Sequence, residues 1–181
     1  MPFWIALLRG INILGRKQVR MDELKRSCES AGLEDVRTYL QSGNVVFRAR
    51  GRPTPDALAA RISALIARDF GHEVKTLVLS DRTLGDLARS NPLRRRHPGE
   101  DNLFHVTFLA APVPRARFAA LELPRQPGEE ALLAGRRTVL LYCPHGYGRT
   151  KLNNTYFEKK LGVSATTRNW RTVLALREMC G

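Results

Sequence analysis

One stretch of the chain concentrates residues able to do chemistry: Cys143-Pro144-His145-Gly146-Tyr147-Gly148-Arg149-Thr150-Lys151. It follows an apolar run, Thr138 to Tyr142, that reads as a buried strand, and it leads into Thr150 to Leu161, which has helical spacing. A glycine-rich turn between a strand and a helix start can point backbone N–H groups at an anion. Gly146 and Gly148 would shape such a cradle, Arg149 and Lys151 would add positive charge, and Thr150 would add a hydroxyl. Spelled Cys-x-x-Gly-x-x-Arg-Thr, the stretch also has the spacing of a cysteine-phosphatase loop, in which a thiolate attacks phosphorus while an arginine clamps two oxygens. Two features oppose that reading. Pro144 removes an early amide donor, and only Asp81 and Asp101 can be nominated as general acid. A space-filling thiol at a strand end is the simpler reading of Cys143.

A second basic string, Arg9-Gly10-Ile11-Asn12-Ile13-Leu14-Gly15-Arg16-Lys17, also lies between a strand and a helix. Gly10 and Gly15 have the G-x4-G spacing, but Arg16 and Lys17 stand where a P-loop needs lysine and a hydroxyl residue, which argues against a nucleotide triphosphatase. The two loops read as pseudo-equivalents able to flank one cleft. Gln41-Ser42-Gly43-Asn44 reads as a hairpin tip. The turn needs only Gly43 and Asn44, which leaves Gln41 and Ser42 for a ligand. Thr167-Arg168-Asn169-Trp170 reads as the opening of the last helix, with Thr166 or Thr167 as cap and Trp170 packed on a sheet. Arg168 and Asn169 then occupy a first turn that the macrodipole reserves for acids. Arg149 and Lys151 sit the same way, and an anion held there would account for both.

The elements that must position these loops follow from apolar periodicity. Strands are expected at Phe3–Leu8, Val36–Leu40, Val45–Arg48 and Val74–Leu79, with helices at Met21–Ala31 and Pro55–Phe70, the latter capped by Thr54. A short helix, Arg82–Arg89, and a turn-rich basic segment, Asn91–Asp101, come next. The pattern then restarts: strand Asn102–Ala110, helix Pro114–Leu121, hairpin Glu130–Leu133 with Thr138–Cys143, helix Thr150–Leu161, an extended piece near Val163–Thr166, and helix Arg168–Met179. The fold class is α+β, two ferredoxin-like (βαββαβ) repeats with an added C-terminal helix. The halves span residues 1–90 and 102–181, joined by the basic segment 91–101.

Composition bounds the partners. The chain has 181 residues, 43% of them hydrophobic, and a net charge of +13 carried mostly by arginine. That charge is either a solvated surface or the footprint of an anionic partner such as nucleic acid, a nucleotide, a phosphorylated metabolite or an acidic protein. No basic amphipathic helix stands out, so a membrane partner is not expected. Three cysteines without pairing logic fit a reducing cytoplasm. Pro2 to Leu8 is too short for a signal or a span. The four histidines, 72, 97, 105 and 145, have no ligand spacing with one another or with the cysteines, so no metal site is expected.

Four strings carry a family resemblance: Leu7-Leu8-Arg9-Gly10-Ile11-Asn12, Thr38-Tyr39-Leu40-Gln41-Ser42-Gly43-Asn44-Val45-Val46-Phe47, Gly148-Arg149-Thr150-Lys151-Leu152, and Thr166-Thr167-Arg168-Asn169-Trp170-Arg171-Thr172-Val173. Together they resemble the bacterial family called domain of unknown function 1697, from Phe3 to about Met179. The resemblance implies a cytoplasmic protein of two ferredoxin-like halves and brings no activity, ligand or cofactor. It also implies that an aromatic residue is usual where this chain has Cys143, which weakens the phosphatase reading further.

The first functional reading is therefore a protein binding an anionic ligand, nucleic acid or nucleotide. Its candidate ligand-binding residues are Arg9, Asn12, Gln41, Ser42, Asn44, Gly146, Gly148, Arg149, Thr150, Lys151, Arg168 and Asn169. Tyr39 and Phe47, on the central hairpin, are either core or base-stacking residues. Two alternatives stay open: an enzyme acting on a phosphorylated small molecule, its phosphate held by Arg149, Lys151, Arg168 and Asn169, and a basic protein-interaction module.

Overall fold

Apolar residues that run unbroken through central strands, and recur at every third or fourth position in helices, fix the elements of both halves. The structure, a computed structural model, describes residues 1–181. Two units can be separated: Met1–Asp86 with Ala175–Gly181, and Leu87–Leu174.

In the first unit the order is β1 (Phe3–Leu8), α1 (Met21–Ser30), β2 (Glu34–Tyr39), β3 (Asn44–Arg48), α2 (Pro55–Phe70) and β4 (Thr76–Ser80), after which α3 (Asp81–Arg89) begins. The strands form an antiparallel sheet in the order β2-β3-β1-β4. β1 is central and reads apolar throughout because both of its faces are covered: Ile5, Ala6, Leu7 and Leu8 are all buried. Ala6, Leu8, Val45, Phe47 and Val78 pack under Leu24 and Cys28 of α1 and Leu58, Ile62 and Ile66 of α2.

α2 runs as the sequence dictates, residue for residue. Thr54 Oγ1 accepts from Ala57 N at 3.2 Å, Pro55 occupies the first turn, and Gly71, at φ 67°, closes the helix in the left-handed region. Burial of Leu58, Ile62, Leu65 and Ile66 follows the 3.6-residue period.

The second unit carries α4 (Pro92–Arg96), β5 (Phe104–Leu109), α5 (Arg115–Ala119), β6 (Glu130–Ala134), β7 (Thr138–Tyr142), α6 (Asn154–Leu161), β8 (Ala165–Asn169) and the start of α7 (Trp170–Met179). Its sheet is again four-stranded and antiparallel, in the order β6-β7-β5-β8. Leu109, Val139, Leu141, Cys143 and Ala165 pack against Phe118, Leu152, Phe157 and Leu161. The protein is thus a mixed α+β chain with two antiparallel sheets. No helix is long and apolar enough to cross a membrane.

Three expectations need correction. The basic segment 91–101 is not merely turns: Asn91 Oδ1 accepts from Leu93 N at 3.0 Å and caps the short helix α4. α6 starts at Asn154 rather than Thr150, because Asn153 supplies the cap, its Oδ1 accepting from Tyr156 N at 3.0 Å. α7 starts at Trp170, because Thr166, Thr167, Arg168 and Asn169 are paired with β5 as strand β8. Strand pairing overrides the helical reading of those four residues.

Candidate functional site

The loop after β7 is built from tight hydrogen-bonded turns. Gly146, at φ 87°, donates its N–H to Cys143 O at 3.0 Å, Arg149 N donates to Gly146 O at 3.1 Å, and Thr150 N to Tyr147 O at 3.3 Å. Tyr147–Arg149 is a single 3-10 turn. These three amides are committed to the loop itself and do not line a cradle. The helix-start argument for an anion also falls. Arg149 and Lys151 precede the Asn153-capped start of α6, and Arg168 and Asn169 lie on a strand. Thr150 is buried and structural, its Oγ1 accepting from Leu152 N at 3.0 Å.

What the loop does present is charge. Gly148, Arg149 and Lys151 are exposed. Neighbouring backbone is pinned from outside the loop: Gln126 Nε2 donates to Arg149 O at 2.6 Å, and the His145 ring nitrogen lies 2.9 Å from Pro127 O. Three of the six acids of this unit are paired with its cations. Glu130 pairs with Arg96 and His97, Asp101 with Arg94 at 3.0 Å, and Glu100 with Arg171 at 3.6 Å. Residues 87–174 hold fifteen Lys and Arg against six Asp and Glu, a net +9, while the other unit holds fifteen against eleven, a net +4.

Beneath the loop lies a polar cluster that sequence reasoning missed. Tyr147 stacks on His105 with ring centroids 4.6 Å apart and planes 22° from parallel. His105 Nε2 is 3.4 Å from Asn169 Nδ2. Asn169 Oδ1 accepts from Arg171 N at 2.8 Å, so its amide nitrogen faces the ring and the ring nitrogen accepts. Burial pushes the His105 imidazole down to about 4, which leaves it neutral near pH 7. Asn169 therefore joins the loop through His105 and Tyr147. The available signal was the polar alternation of His105 and Thr107 along an otherwise apolar strand.

Arg168 does not join the loop. Alternation along β8 sends it to the opposite face from Thr167 and Asn169. There it is 8% exposed, donating to Thr166 Oγ1 at 2.9 Å and to Thr167 O at 3.0 Å. Burial lowers its guanidinium to about 10.

The surroundings of Cys143 oppose a thiolate. It is buried, its N–H donates to Leu103 O at 2.8 Å, and burial followed by the nearby Glu129 carboxylate pushes its thiol up to about 12. Glu129 is itself 6% exposed. One of its oxygens accepts from Gln126 N at 2.9 Å and the other, Oε1, has no hydrogen-bond partner.

The remaining candidates meet in the first unit. Asn12 bolts two loops together: Nδ2 donates to Val19 O at 2.9 Å and to Gln41 O at 2.8 Å, and Oδ1 accepts from Val19 N at 2.8 Å. Arg9 N donates to Lys75 O at 2.9 Å. Asn44 is fully buried, its Nδ2 donating to Tyr39 O at 2.8 Å and to Ser42 Oγ at 3.3 Å. Gln41 and Ser42 are exposed beside it. Gly43 takes φ 82°, and a Cβ there would lie 2.7 Å from Leu8 Cβ and from Ile11 Cδ1, so the turn sits hard against β1.

The two basic loops are not equivalents. Loop 9–20 follows the outer end of β1 and meets the β2–β3 turn, since Leu8 N donates to Gly43 O at 2.8 Å. Loop 143–153 follows β7, whose antiparallel partner β5 is only beginning there. Within their sheets the loops occupy opposite ends. Phe47 is in the core and offers no base-stacking face.

Three comparisons with known proteins concern the family and the fold. A family model described as "Protein of unknown function (DUF1697)" matches residues 1–139. No curated protein matches the chain. A solved structure, the conserved bacterial protein SP0830 from Streptococcus pneumoniae, superposes with a TM-score of 0.71 at 20% identity, over 99% of each chain. At that identity the likeness speaks for the fold alone.

Proposed function

The chain belongs to the DUF1697 family, whose description assigns no activity, and from its own residues we propose that it binds nucleic acid through phosphate contacts made by the second unit. The carrying observation is the exposed Arg149–Lys151 edge, held in place by its own turns on a unit of net +9. Phosphate contacts confer affinity without sequence readout. Phe47, one of the two aromatic residues considered for base stacking, is in the core, while Tyr39 is half-buried. The neutral His105 under Tyr147 acts here as a positioning group, fixing the loop that carries the cations.

We also infer that each half is a ferredoxin-like repeat. Both sheets share one strand order, β2-β3-β1-β4 and β6-β7-β5-β8, which supports that reading.

The test is fluorescence anisotropy with labelled single-stranded RNA and DNA across a salt series. Wild type should bind with affinity that falls steeply as salt rises, and Arg149→Ala/Lys151→Ala should bind about tenfold or more weakly at low salt. Competition by one free nucleotide at low concentration would instead favour the phosphorylated small-molecule reading. For that reading the same cations serve, but the buried thiol of Cys143 does not.

A further inference from the structure

Large apolar side chains are left exposed at only four positions, Met1, Ile13, Leu14 and Leu40, and three of these sit on the two first-unit loops that Asn12 fastens together. Ile13 bridges to Arg16, which leaves Leu14 at φ 48° and Gly15 at φ 73° as the corner of a tight turn. Two successive positive φ values make the type I′ geometry, for which asparagine followed by glycine is favoured. Leucine in the left-handed region is strained, yet Leu14 is 95% exposed and contributes nothing to the core. Leu40 repeats the pattern, with φ 57° and 54% exposure. Leu14 and Leu40 thus combine backbone strain with apolar exposure on adjoining loops, a combination that points outward from the fold. Cations lie on the adjoining chain: Arg16 and Lys17 follow Leu14 and are exposed, Lys17 Nζ donates to the carbonyl of the exposed Glu73, and exposed Lys75, two residues on, accepts from Arg9 N through its carbonyl.

We propose that Ile13, Leu14 and Leu40 insert into the interfacial layer of an anionic lipid bilayer while Arg16, Lys17 and Lys75 meet its headgroups. The absence of a basic amphipathic helix, which set membranes aside at the level of sequence, does not bear on a loop device of this kind. Charge complementarity selects an anionic surface, and the exposed apolar side chains select a bilayer, which offers hydrocarbon beneath its headgroups. The three apolar side chains come from two loops joined through Asn12. This surface is independent of the Arg149–Lys151 edge.

The experiment is co-sedimentation of the full chain with phosphatidylcholine vesicles, with and without phosphatidylglycerol. Wild type should pellet with the anionic vesicles at low salt and not with the neutral ones. Leu14→Gly keeps the turn, because glycine favours its φ, and should weaken vesicle binding about tenfold. Leu14→Trp should be quenched by brominated lipid. Arg16→Ala/Lys17→Ala should lower both vesicle affinity and its salt dependence. Failure of wild type to pellet with anionic vesicles, or unchanged vesicle affinity in Leu14→Gly, overturns the proposal. So does loss of RNA or DNA affinity in Leu14→Gly, without loss of vesicle affinity, which would make the tip a nucleic-acid wedge.

Discussion

The two halves share a strand order and differ in what they build at the ends of their sheets. In the first unit the loop after β1 is wedged shut by apolar contact, with Gly43 pressed on Leu8 and Ile11, and it ends in exposed Ile13 and Leu14. In the second unit the loop after β7 rests on a polar support, Tyr147 on His105 on Asn169, and it ends in exposed Arg149 and Lys151. The lesson is that one topology fixes where loops can be placed while leaving free what they are placed upon. An apolar plug tolerates any pH, whereas a support containing a buried imidazole does not.

The largest expected effect separates the halves by acid. His105 has its ordinary value near 6.5 when unfolded and about 4 when folded. The unfolded state therefore binds the proton first as pH falls, and stability present above pH 6.5 is lost progressively down to about pH 4. The loss is about 3 kcal/mol. The chain provides one reporter per unit, Trp4 in the first and Trp170 in the second. Urea midpoints read from Trp170 in a Trp4→Phe background should fall between pH 7 and pH 4, and His105→Phe should flatten that fall. Equal acid sensitivity at both tryptophans, unaltered by His105→Phe, would erase the contrast.

Glycines sharpen the same comparison at smaller scale. Gly43→Ala should cost about 2 kcal/mol or more, because its φ is positive and the new Cβ meets carbon at 2.7 Å. Gly148→Ala should change stability by less than about 0.5 kcal/mol, since its φ is ordinary and nothing lies within 4 Å of the added carbon. Thermal melts of both variants decide this, and equal costs would mean that the second-unit loop is as tightly seated as the first. The smallest effect is chemical. Iodoacetamide applied to the native protein near neutral pH should leave Cys143 unmodified, as a thiol at about 12 has almost no thiolate there. Labelling at Cys143, read by peptide mass spectrometry, would reopen the nucleophilic reading.

Much of the fold was legible because it is local. Proline at a first helical position, Thr54 as cap and Gly71 as closing residue fix α2 without reference to anything distant. The end of β8 was not legible, because Arg168 and Asn169 are strand only by virtue of β5 beside them, and a caps-and-charges reading gave them to the helix. The start of α6 shows a nearer miss. Thr150 and Asn153 both look like caps, and only the structure shows Thr150 turned to Leu152 N.

At the site, Arg149 and Lys151 stand out in the sequence string and are exposed, whereas Ser42, read as spare to its turn, accepts from Asn44 Nδ2 and so takes part in it. The roles of Asn12, Asn44 and Thr150 as fasteners were not legible, since their partners are carbonyls and amides whose positions depend on the folded loops. His105 was hidden for a further reason. Its only signal is the polar alternation of His105 with Thr107, and its partner Tyr147 lies on a loop distant in sequence.

The central claim is that nucleic-acid phosphates are gripped by the second unit. The most direct measurement is the slope of log affinity against log salt for a labelled DNA duplex. Wild type would be compared with Arg149→Ala/Lys151→Ala and with Arg16→Ala/Lys17→Ala. Each lost phosphate contact reduces the slope by about 0.9, so the second-unit pair should flatten it by about 2 and the first-unit pair should leave it nearly unchanged. A slope that flattens only with the first-unit pair, or with neither, would contradict the account.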